Sequence, residues 1–362
     1  MSTLFKKMKK VIVGMSGGVD SAVTAYLLKA AGFSVTGITL RTWFSAEGEE
    51  SRCCEIDDAR RVAWKIGIPY YAFNCVLAFQ DNVTKPFVSE YLQGLTPNPC
   101  IVCNRFVKWE KMLYYAKVLK ADFVATGHYA SVLRLDNGRY TVQQALHAEK
   151  DQTYMLYKLT QEQLARTMMP LGKCSKEEVR RIAEEAGLPV ANKKDSQEIC
   201  FVTRGSYGDY IEKETDSAIR PGNFVDEKGT VVGTHKGIIH YTVGQRKGLG
   251  LALGYPAYVK RISAAANEIV VGDETSLYHR EIICSELNYM SVPGIEEGET
   301  LRAHVKIRYH HGGEYASICP EGNGQVRVIF DNPVRVPAPG QSAVFYDENR
   351  CVIGGGKITG VL

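Results

Sequence analysis

A chain of 362 residues with 45% hydrophobic residues, 23% charged residues and a formal net charge of +4 has the composition of a globular protein. This balance excludes a disordered chain and a fibrous repeat, and the length is sufficient for two or three domains. No apolar run approaches the roughly 18 residues that a membrane helix needs, and the apolar stretch after Lys10 is too short for a signal peptide. We therefore predict a cytoplasmic protein with no membrane partner.

Ten cysteines are many for a chain without an export signal. In a reducing compartment such thiols are reactive, bind metals or lie in the core, and they are rarely joined in disulfides. Basic residues outnumber acidic ones in the first 205 positions but not beyond them, which is a weak indication of a polyanionic partner. Composition alone therefore does not indicate the function, and the sequence motifs are more informative.

Short β-branched runs alternate with amphipathic stretches from residue 9 to about residue 200. This alternation predicts an α/β domain in which a parallel sheet has helices on both faces. The predicted elements are, in chain order, strand Lys10–Gly14, helix Ser21–Ala31, strand Ser34–Leu40, helix Ile56–Ile66, strand Tyr70–Phe73, helix Asp81–Leu92, helix Arg105–Leu119, strand Asp122–Thr126, a hairpin of Tyr129–Leu135 and Tyr140–Gln144, and helix Ser175–Ala186.

Helical periodicity disappears after about residue 205, and short strand-like runs separated by Gly, Pro and Asn predict an all-β region. These runs are Val231–Thr234, Tyr258–Ser263, Glu268–Gly272, Thr300–Ile307, Gln325–Phe330 and Ser342–Tyr346. The length of the region suits two small modules with a break in Asp273–His279. We therefore predict three domains, 1–205, 206–276 and 277–362, of which the last is barrel-like.

A glycine- and serine-rich segment, Gly14-Met15-Ser16-Gly17-Gly18-Val19-Asp20-Ser21, lies between the first predicted strand and helix. Two glycines allow backbone N–H groups to approach a ligand, and the helix N-terminus presents further unpaired N–H groups to an anion. Hydroxyl groups of Ser16 and Ser21 add donors. The segment therefore predicts a phosphate-binding loop, although it has neither the lysine of the common P-loop nor the dinucleotide-binding spacing.

The sequence Ser-Gly-Gly-Val-Asp-Ser at positions 16–21 resembles the signature of the N-type ATP pyrophosphatases. The resemblance implies a doubly wound, adenine-nucleotide α-hydrolase-like α/β domain. It also implies cleavage of ATP between the α- and β-phosphates, with adenylation of a substrate oxygen. The acceptor of the adenylyl group stays open at this point.

Two cysteine-containing segments indicate which acceptor is used, Thr96-Pro97-Asn98-Pro99-Cys100-Ile101-Val102-Cys103-Asn104 and Lys194-Asp195-Ser196-Gln197-Glu198-Ile199-Cys200-Phe201. We predict that Cys103 lies at the start of the helix that begins at Arg105. There the helix dipole and Arg105 or Lys108 would lower the pKa of the thiol. A reactive thiolate beside an adenylation loop favours sulfur transfer.

These segments, together with Gly127-His128-Tyr129, Lys150-Asp151-Gln152 and the run from Tyr241 to Gly250, resemble the bacterial tRNA-specific 2-thiouridylase family along essentially the whole chain. The resemblance implies that ATP and Mg²⁺ are bound by the loop from Gly14 to Ser21, with Leu40 and Gly127. Asp20 and Ser21 would be needed for release of pyrophosphate.

The same resemblance implies a route for sulfur. Cys200 would receive a persulfide sulfur from a relay protein that is fed by a cysteine desulfurase. The sulfur would attack C2 of the adenylated wobble uridine, with Cys103 as the second nucleophilic thiol and a Cys103–Cys200 disulfide as one outcome. Asn98, Pro99 and Cys100 would line the flipped target base. Contacts to tRNA, of the lysine, glutamate and glutamine acceptors, are implied for His128, Lys150, Asp151, Gln152, Arg308, Tyr309 and Gln341.

One position departs from the described form of the family, because Cys100 stands where that form has Asp. Cys100, Cys103 and Cys200 are thus three candidate ligands of a [4Fe–4S] cluster whose fourth iron could carry hydrosulfide. The residues admit both the persulfide and the cluster mechanism. Two other functions also stay open: a small-molecule ligase of the same superfamily, which leaves the cysteines without a role, and a non-catalytic tRNA-binding or iron–sulfur carrier protein, which has no need of the ATP loop.

Overall fold

The computed structural model describes residues 8–44, 55–193 and 199–362. Its contacts divide the chain into two compact units. The first unit contains Met1–Asn82, Cys100–Thr203 and Arg350–Val352, and the second contains Val83–Pro99, Arg204–Asn349 and Ile353–Leu362. None of the helices in the described ranges combines the length and the apolar character that crossing a bilayer requires.

The elements up to residue 203 alternate strand and helix as the sequence predicts. In chain order they are β1 (Lys10–Gly14), α1 (Val19–Ala30), β2 (Ser34–Arg41), α2 (Ile56–Ile66), β3 (Tyr70–Asn74), α3 (Val76–Phe79), a π-helical turn (Gln80–Thr84), α4 (Lys85–Leu92), α5 (Pro99–Cys103), a second π-helical turn (Asn104–Lys108), α6 (Trp109–Val118), β4 (Phe123–Ala125), β5 (Ala130–Arg134), β6 (Tyr140–Gln144), α7 (Gln161–Ala165), β7 (Thr167–Met168) and α8 (Lys176–Glu185).

Five parallel strands form the sheet of the first unit in the order β3-β2-β1-β4-β7. The chain runs from β1 to β2 on one side and returns to β4 on the other, so the strand order reverses at β1. In open α/β sheets, ligands bind outside the carboxyl ends of the strands at such a point. The core beside it consists of apolar residues from the sheet and from α1, α2 and α8, including Val13, Val23, Val62 and Val179. The predicted α/β fold is confirmed.

The helix predicted over Arg105–Leu119 begins earlier than predicted. Helical backbone starts at Pro99 and continues through the π-helical turn to Val118. Proline is favourable in the first turn because its missing N–H would have no partner there. Cys103 consequently lies at the end of the first helical segment, and the prediction that it lies at a helix N-terminus is wrong.

Helical structure also continues beyond residue 205, where the sequence predicts only strands. The helix α9 (Tyr207–Glu214) is capped by Ser206, whose hydroxyl accepts from Asp209 N–H while the Asp209 carboxylate accepts from Ser206 N–H. This capping box satisfies two N–H groups that a helix end leaves unpaired.

The second unit contains the β modules. Their strands are β8 (Gly222–Val225), β9 (Val231–His235), β10 (Tyr258–Ser263), β11 (Glu268–Gly272), β12 (Tyr278–Tyr289), β13 (Leu301–Lys306), β14 (Glu314–Gly322), β15 (Gln325–Arg335), β16 (Ser342–Tyr346) and β17 (Val352–Val361). Strands β8–β11 form one sheet and β12–β17 close into a barrel, so the predicted barrel-like C-terminal region is confirmed. The sequence patterns missed β8, β12, β14 and β17, and β12 begins inside the predicted break.

Candidate functional site

The predicted phosphate loop joins β1 to α1 in the geometry that an anion site needs. Gly17 has φ +82°, a conformation that favours glycine, and Gly18 is the residue that precedes the first turn of α1. The Ser21 hydroxyl accepts from Ser16 N–H at 3.2 Å and donates to the Gly18 carbonyl at 3.0 Å. These bonds close the loop on itself at the N-terminus of α1, where unpaired N–H groups attract anions.

Strand β2 holds the other side of the loop. Met15 is buried, its N–H donates to the Ile38 carbonyl at 2.7 Å, and its carbonyl accepts from the Thr39 hydroxyl at 2.6 Å. The Tyr70 hydroxyl donates in turn to Thr39 at 2.7 Å. Leu40, one of the predicted ATP-binding residues, follows Thr39 at the carboxyl end of β2 and is buried. The loop is therefore fixed in place by the sheet.

Gly127, which follows β4, packs directly against the start of α1. A Cβ at this position would lie 2.7 Å from the Asp20 carbonyl carbon and 2.8 Å from Ser21 N. Both neighbours are backbone atoms of the helix and have little freedom to move. The structure thus brings the predicted residues Gly127, Asp20 and Ser21 together at the point where the strand order reverses.

Asp20 has two partners that the sequence patterns did not single out as site residues. Lys176 Nζ donates to both carboxylate oxygens of Asp20, at 2.7 and 2.9 Å, and the Tyr129 hydroxyl donates to Oδ1 at 2.8 Å. The Lys176 side chain is only 9% exposed. Asp20 and Lys176 are 156 residues apart, so no local sequence motif predicts that they form a pair. Together they place a fixed carboxylate and a fixed cation beside the loop.

A second lysine contacts the loop itself. Lys193 Nζ donates to the Gly17 carbonyl at 3.2 Å and to the carboxylates of Glu55 and Asp58. The hydrogen bond from Lys193 lowers the pKa of Asp58. Burial alone would lower the pKa of Lys193, but its bonds to Asp58 and Glu55 outweigh burial and raise it. Asp58 and Lys193 therefore both stay charged at neutral pH.

The three candidate thiols differ in exposure. Cys103 is buried, Cys100 is exposed and Cys200 is half-buried, and each is a thiol that is not part of a disulfide. Within the described ranges, no group of three or more His, Cys, Asp or Glu side chains is placed to hold a metal ion. We derive no step through a [4Fe–4S] cluster.

The residues that directly follow Cys103 and Cys200 are well anchored. Asn104, next to Cys103, is buried and its Nδ2 donates to the Met155 carbonyl at 2.9 Å. Phe201, next to Cys200, is buried and packs edge-on against Phe79, with ring centroids 5.6 Å apart. Residues 194–198 of the predicted cysteine motif lie outside the described residues. The described structure places Cys103 and Cys200 in the first unit, which also contains the phosphate loop.

The predicted tRNA-contacting residues of the first unit are partly turned inward. His128 Nδ1 bonds to the Thr126 hydroxyl at 2.9 Å. The Asp151 carboxylate is buried and accepts from Ala145 N–H at 3.1 Å, and Gln152 Oε1 accepts from Tyr129 N–H at 3.0 Å. The hydrogen bonds of Asp151 and Gln152 thus fix the loop that contains Lys150.

Burial lowers the pKa of His128 to about 3, with a smaller contribution from Lys108. The folded state therefore keeps the imidazole neutral while the unfolded chain takes up a proton near the usual pKa of about 6.5. Stability from this group is present above that pH and is lost as the pH falls. Between pH 6.5 and 5 we expect the free energy of unfolding to fall by about 1–2 kcal/mol more than in a His128→Asn variant. Urea unfolding of both proteins at the two pH values measures this difference, and equal losses would contradict the neutral imidazole of the folded state.

The predicted tRNA-contacting residues of the second unit lie on the barrel and its neighbouring loop. Arg308 Nη1 donates to the Arg335 carbonyl at 3.1 Å, and the Tyr309 ring packs against His310. Gln341 Nε2 donates to the Thr96 carbonyl at 2.9 Å, which holds the loop that leads to Asn98 and Pro99.

Comparison with known proteins shows which protein families this fold matches. Three family models match successive parts of the chain: tRNA methyl transferase HUP domain over residues 9–204, tRNA methyl transferase PRC-barrel domain over 208–273, and aminomethyltransferase beta-barrel domain over 279–358. The parallel sheet with its glycine–serine loop thus defines a HUP-type α/β protein followed by β modules.

Curated relatives then identify the family. A protein of Lachnoclostridium phytofermentans named tRNA-specific 2-thiouridylase MnmA is 51% identical over 358 residues, which cover 97% of this chain and 99% of the relative. A protein of the same name from Acetivibrio thermocellus is 52% identical with the same coverage. The chain belongs to the tRNA-specific 2-thiouridylase family, and the resemblance predicted from its motifs is confirmed.

Two solved structures show weaker similarity. The U34-tRNA thiolase NcsA from Methanococcus maripaludis with its [4Fe-4S] cluster is 22% identical with a TM-score of 0.36, over 60% of this chain and 67% of that chain. A 4-thiouridine synthetase–RNA complex with bound ATP is 16% identical with a TM-score of 0.34, over 57% and 50%.

Proposed function

We propose that the protein catalyses ATP-dependent 2-thiolation of the wobble uridine of tRNA. The observation that carries this function is that one compact unit contains the closed phosphate loop and the Cys103 and Cys200 thiols, in a chain that matches tRNA-specific 2-thiouridylases over nearly its whole length. A non-catalytic RNA-binding protein has no need of the loop, and a small-molecule ligase has no use for the thiols.

ATP would occupy the loop from Gly14 to Ser21, with Leu40 and Gly127 at the two neighbouring strand ends. The N–H groups at the start of α1 would hold the phosphates, and Mg²⁺ would neutralise part of their charge. Asp20 stands beside the loop, oriented by Lys176 and Tyr129. In this role Asp20 would help to hold the triphosphate for attack by the uridine oxygen, and Mg²⁺, if bound there, would supply positive charge.

Adenylation would begin when O2 of the uridine attacks the α-phosphorus and pyrophosphate leaves. The terminal sulfur of a persulfide on Cys200 then attacks C2. The Cys103 thiolate attacks the inner sulfur of Cys200, the S–S bond of the persulfide breaks, and its electrons form C2=S as AMP departs. The product disulfide joins Cys103 and Cys200, and an external thiol must reduce it before the next cycle.

The [4Fe–4S] cluster mechanism is the alternative for sulfur delivery. A substitution of Cys100 distinguishes it from the persulfide mechanism. A Cys100→Ser protein is expected to keep activity with ATP and a persulfide donor under anaerobic conditions, because serine removes a cluster ligand but leaves Cys103 and Cys200 in place. The readout is 2-thiouridine in the tRNA. Loss of activity together with loss of a bound cluster would support the cluster mechanism instead.

Binding of tRNA would use His128 and the Lys150–Gln152 loop in the first unit, and Arg308, Tyr309 and Gln341 in the second. Asn98, Pro99 and Cys100 would line the flipped uridine, since chemistry at C2 requires an unstacked base. Of the three domains, 1–205 would carry the chemistry and the first of these tRNA contacts, 277–362 would carry the others, and 206–276 would lie between them in the chain. The substrates would be the lysine, glutamate and glutamine tRNAs, the sulfur would come from a relay protein fed by a cysteine desulfurase, and the cytoplasm would be the site of reaction.

The proposed function is tested by mass spectrometry of unmodified tRNA after incubation with the protein, ATP, Mg²⁺ and a persulfide donor. We expect 2-thiouridine at the wobble position and release of pyrophosphate only when tRNA is present. Pyrophosphate release that is indifferent to tRNA would favour a small-molecule ligase, and tRNA binding without any release would favour a non-catalytic protein.

A further inference from the structure

Tyr129 connects the loop that contains Lys150 to Asp20 beside the phosphate loop. It is buried, and its hydroxyl donates to Asp20 Oδ1 at 2.8 Å. Lys176 Nζ, which also bonds to Asp20, lies over the Tyr129 ring at 5.9 Å from the ring centroid. The position of this one ring therefore helps to fix the direction of the Asp20 carboxylate.

Gln152 holds the backbone of Tyr129 through two hydrogen bonds. The side-chain oxygen of Gln152, Oε1, accepts from Tyr129 N–H at 3.0 Å, and Gln152 N–H donates to the Tyr129 carbonyl at 3.1 Å. Because Tyr129 is buried, water does not readily replace a lost acceptor, and a buried N–H without a partner costs free energy. Gln152 therefore fixes the backbone from which the Tyr129 ring projects.

Asp151 makes the turn between Lys150 and Gln152 rigid. Its buried carboxylate accepts from Ala145 N–H at 3.1 Å, from Thr153 N–H at 3.3 Å and from the Thr153 hydroxyl at 2.8 Å. A displacement of Lys150 is therefore transmitted to Gln152. The positive charge of Lys150 suits the phosphates of an RNA, whereas the side-chain oxygen of Gln152 is already bonded to Tyr129.

We infer that Gln152 is a positioning residue for adenylation, which holds Asp20 in place through Tyr129, so that the loop proposed to contact tRNA also orients the nucleotide site. The inference rests on the proposed function, because that function assigns Asp20 to the adenylation step. All three residues belong to the first unit. In-line attack requires a narrow range of positions, and a shift of about 1 Å can reduce a rate about a hundredfold.

Gln152→Met keeps the length of the side chain and removes the acceptor of Tyr129 N–H. We expect the maximal rate of pyrophosphate release, at saturating tRNA and ATP, to fall about tenfold or more, while the dissociation constant for tRNA stays within about twofold. Tyr129→Phe keeps the ring in the core, removes its bond to Asp20 and should cause a similar fall. Because both substitutions act through the same carboxylate, the double variant should lose no more than Tyr129→Phe alone.

The matched control is Gln161→Met, since Gln161 holds the backbone of another tyrosine in the same way. Its Oε1 accepts from Tyr140 N–H at 2.7 Å, and its Nε2 donates to the Tyr140 carbonyl at 2.9 Å. Tyr140 pairs with Arg134, at the opposite end of the β5–β6 hairpin from Ala130, which follows Tyr129. This variant should release pyrophosphate at the rate of the unchanged protein.

The experiment measures pyrophosphate release over a range of tRNA concentrations, and tRNA binding by fluorescence anisotropy, for the unchanged protein and the four variants. A lower maximal rate at unchanged tRNA affinity, with no additional loss in the double variant, supports the inference. An unchanged maximal rate with or without weaker tRNA binding, losses that multiply in the double variant, or an equal loss in Gln161→Met overturns it and leaves the proposed function intact. Absence of tRNA-dependent pyrophosphate release from the unchanged protein would instead overturn the proposed function.

Discussion

Replacing Cys200 by alanine is expected to abolish 2-thiouridine formation, by at least about a thousandfold, while tRNA-dependent release of pyrophosphate continues. The loop between β1 and α1 makes its hydrogen bonds without this thiol, so adenylation should not need it. Cys103→Ala should lose product formation to a similar extent. The two assays, pyrophosphate release and mass spectrometry of the tRNA, are run on the same samples.

The control for this experiment is Cys319→Ala, a thiol on β14 of the barrel in the second unit. It should keep both activities. If Cys200→Ala made 2-thiouridine at the rate of the unchanged protein, Cys200 would not carry the sulfur. If it lost pyrophosphate release as well, the division of roles between loop and thiols would be wrong.

Gly127→Ala is expected to reduce pyrophosphate release about a hundredfold, because positioning errors of about 1 Å are enough for such a loss. The new methyl group would lie 2.7–2.9 Å from backbone atoms of Asp20 and Ser21, and it would push the start of α1 out of line. The loss should appear before sulfur transfer, so 2-thiouridine should fall in proportion to pyrophosphate.

Gly294→Ala is the matched control, since a Cβ there meets no atom within 4 Å and the residue has no positive φ. Its activity and thermal unfolding should match those of the unchanged protein. A Gly127→Ala protein with undiminished pyrophosphate release would show that the contact between Gly127 and α1 does not position the nucleotide.

The phosphate loop was predictable because its signal is local. Gly17 adopts the positive φ that its sequence context indicates. Ser16 N–H donates to the hydroxyl of Ser21, which lies only five residues further along the chain. The strand β1 and the helix α2 have the bounds that their apolar patterns predict. Short-range patterns of this kind are decided by backbone conformation and by burial of one face.

Two helix starts were missed although a signal was present. Pro99 begins α5, because proline suits the first turn of a helix as well as it suits a loop. The Ser206 and Asp209 pair is a capping box with aspartate in place of the usual glutamate or glutamine. In both cases the residue types fit two structures, and tertiary packing decides between them.

The partners of the loop could not be predicted from the sequence. Lys193 and Gly17 are 176 residues apart, and Lys176 and Asp20 are 156 apart. In the sequence, Lys176 is only the first residue of an ordinary capped helix. Only the packing of α8 beside α1 brings its ammonium group to Asp20, and no periodic pattern encodes that contact.

In the proposed reaction, sulfur on Cys200 passes to a uridine that ATP has activated. The direct measurement is to load Cys200 with a ³⁵S-labelled persulfide, remove the donor, and add unmodified tRNA with or without ATP and Mg²⁺. We expect the label to move into 2-thiouridine only when ATP is present, and no label to move in a Cys103→Ala protein. Label that stays on the protein, or that reaches the tRNA without ATP, would contradict it.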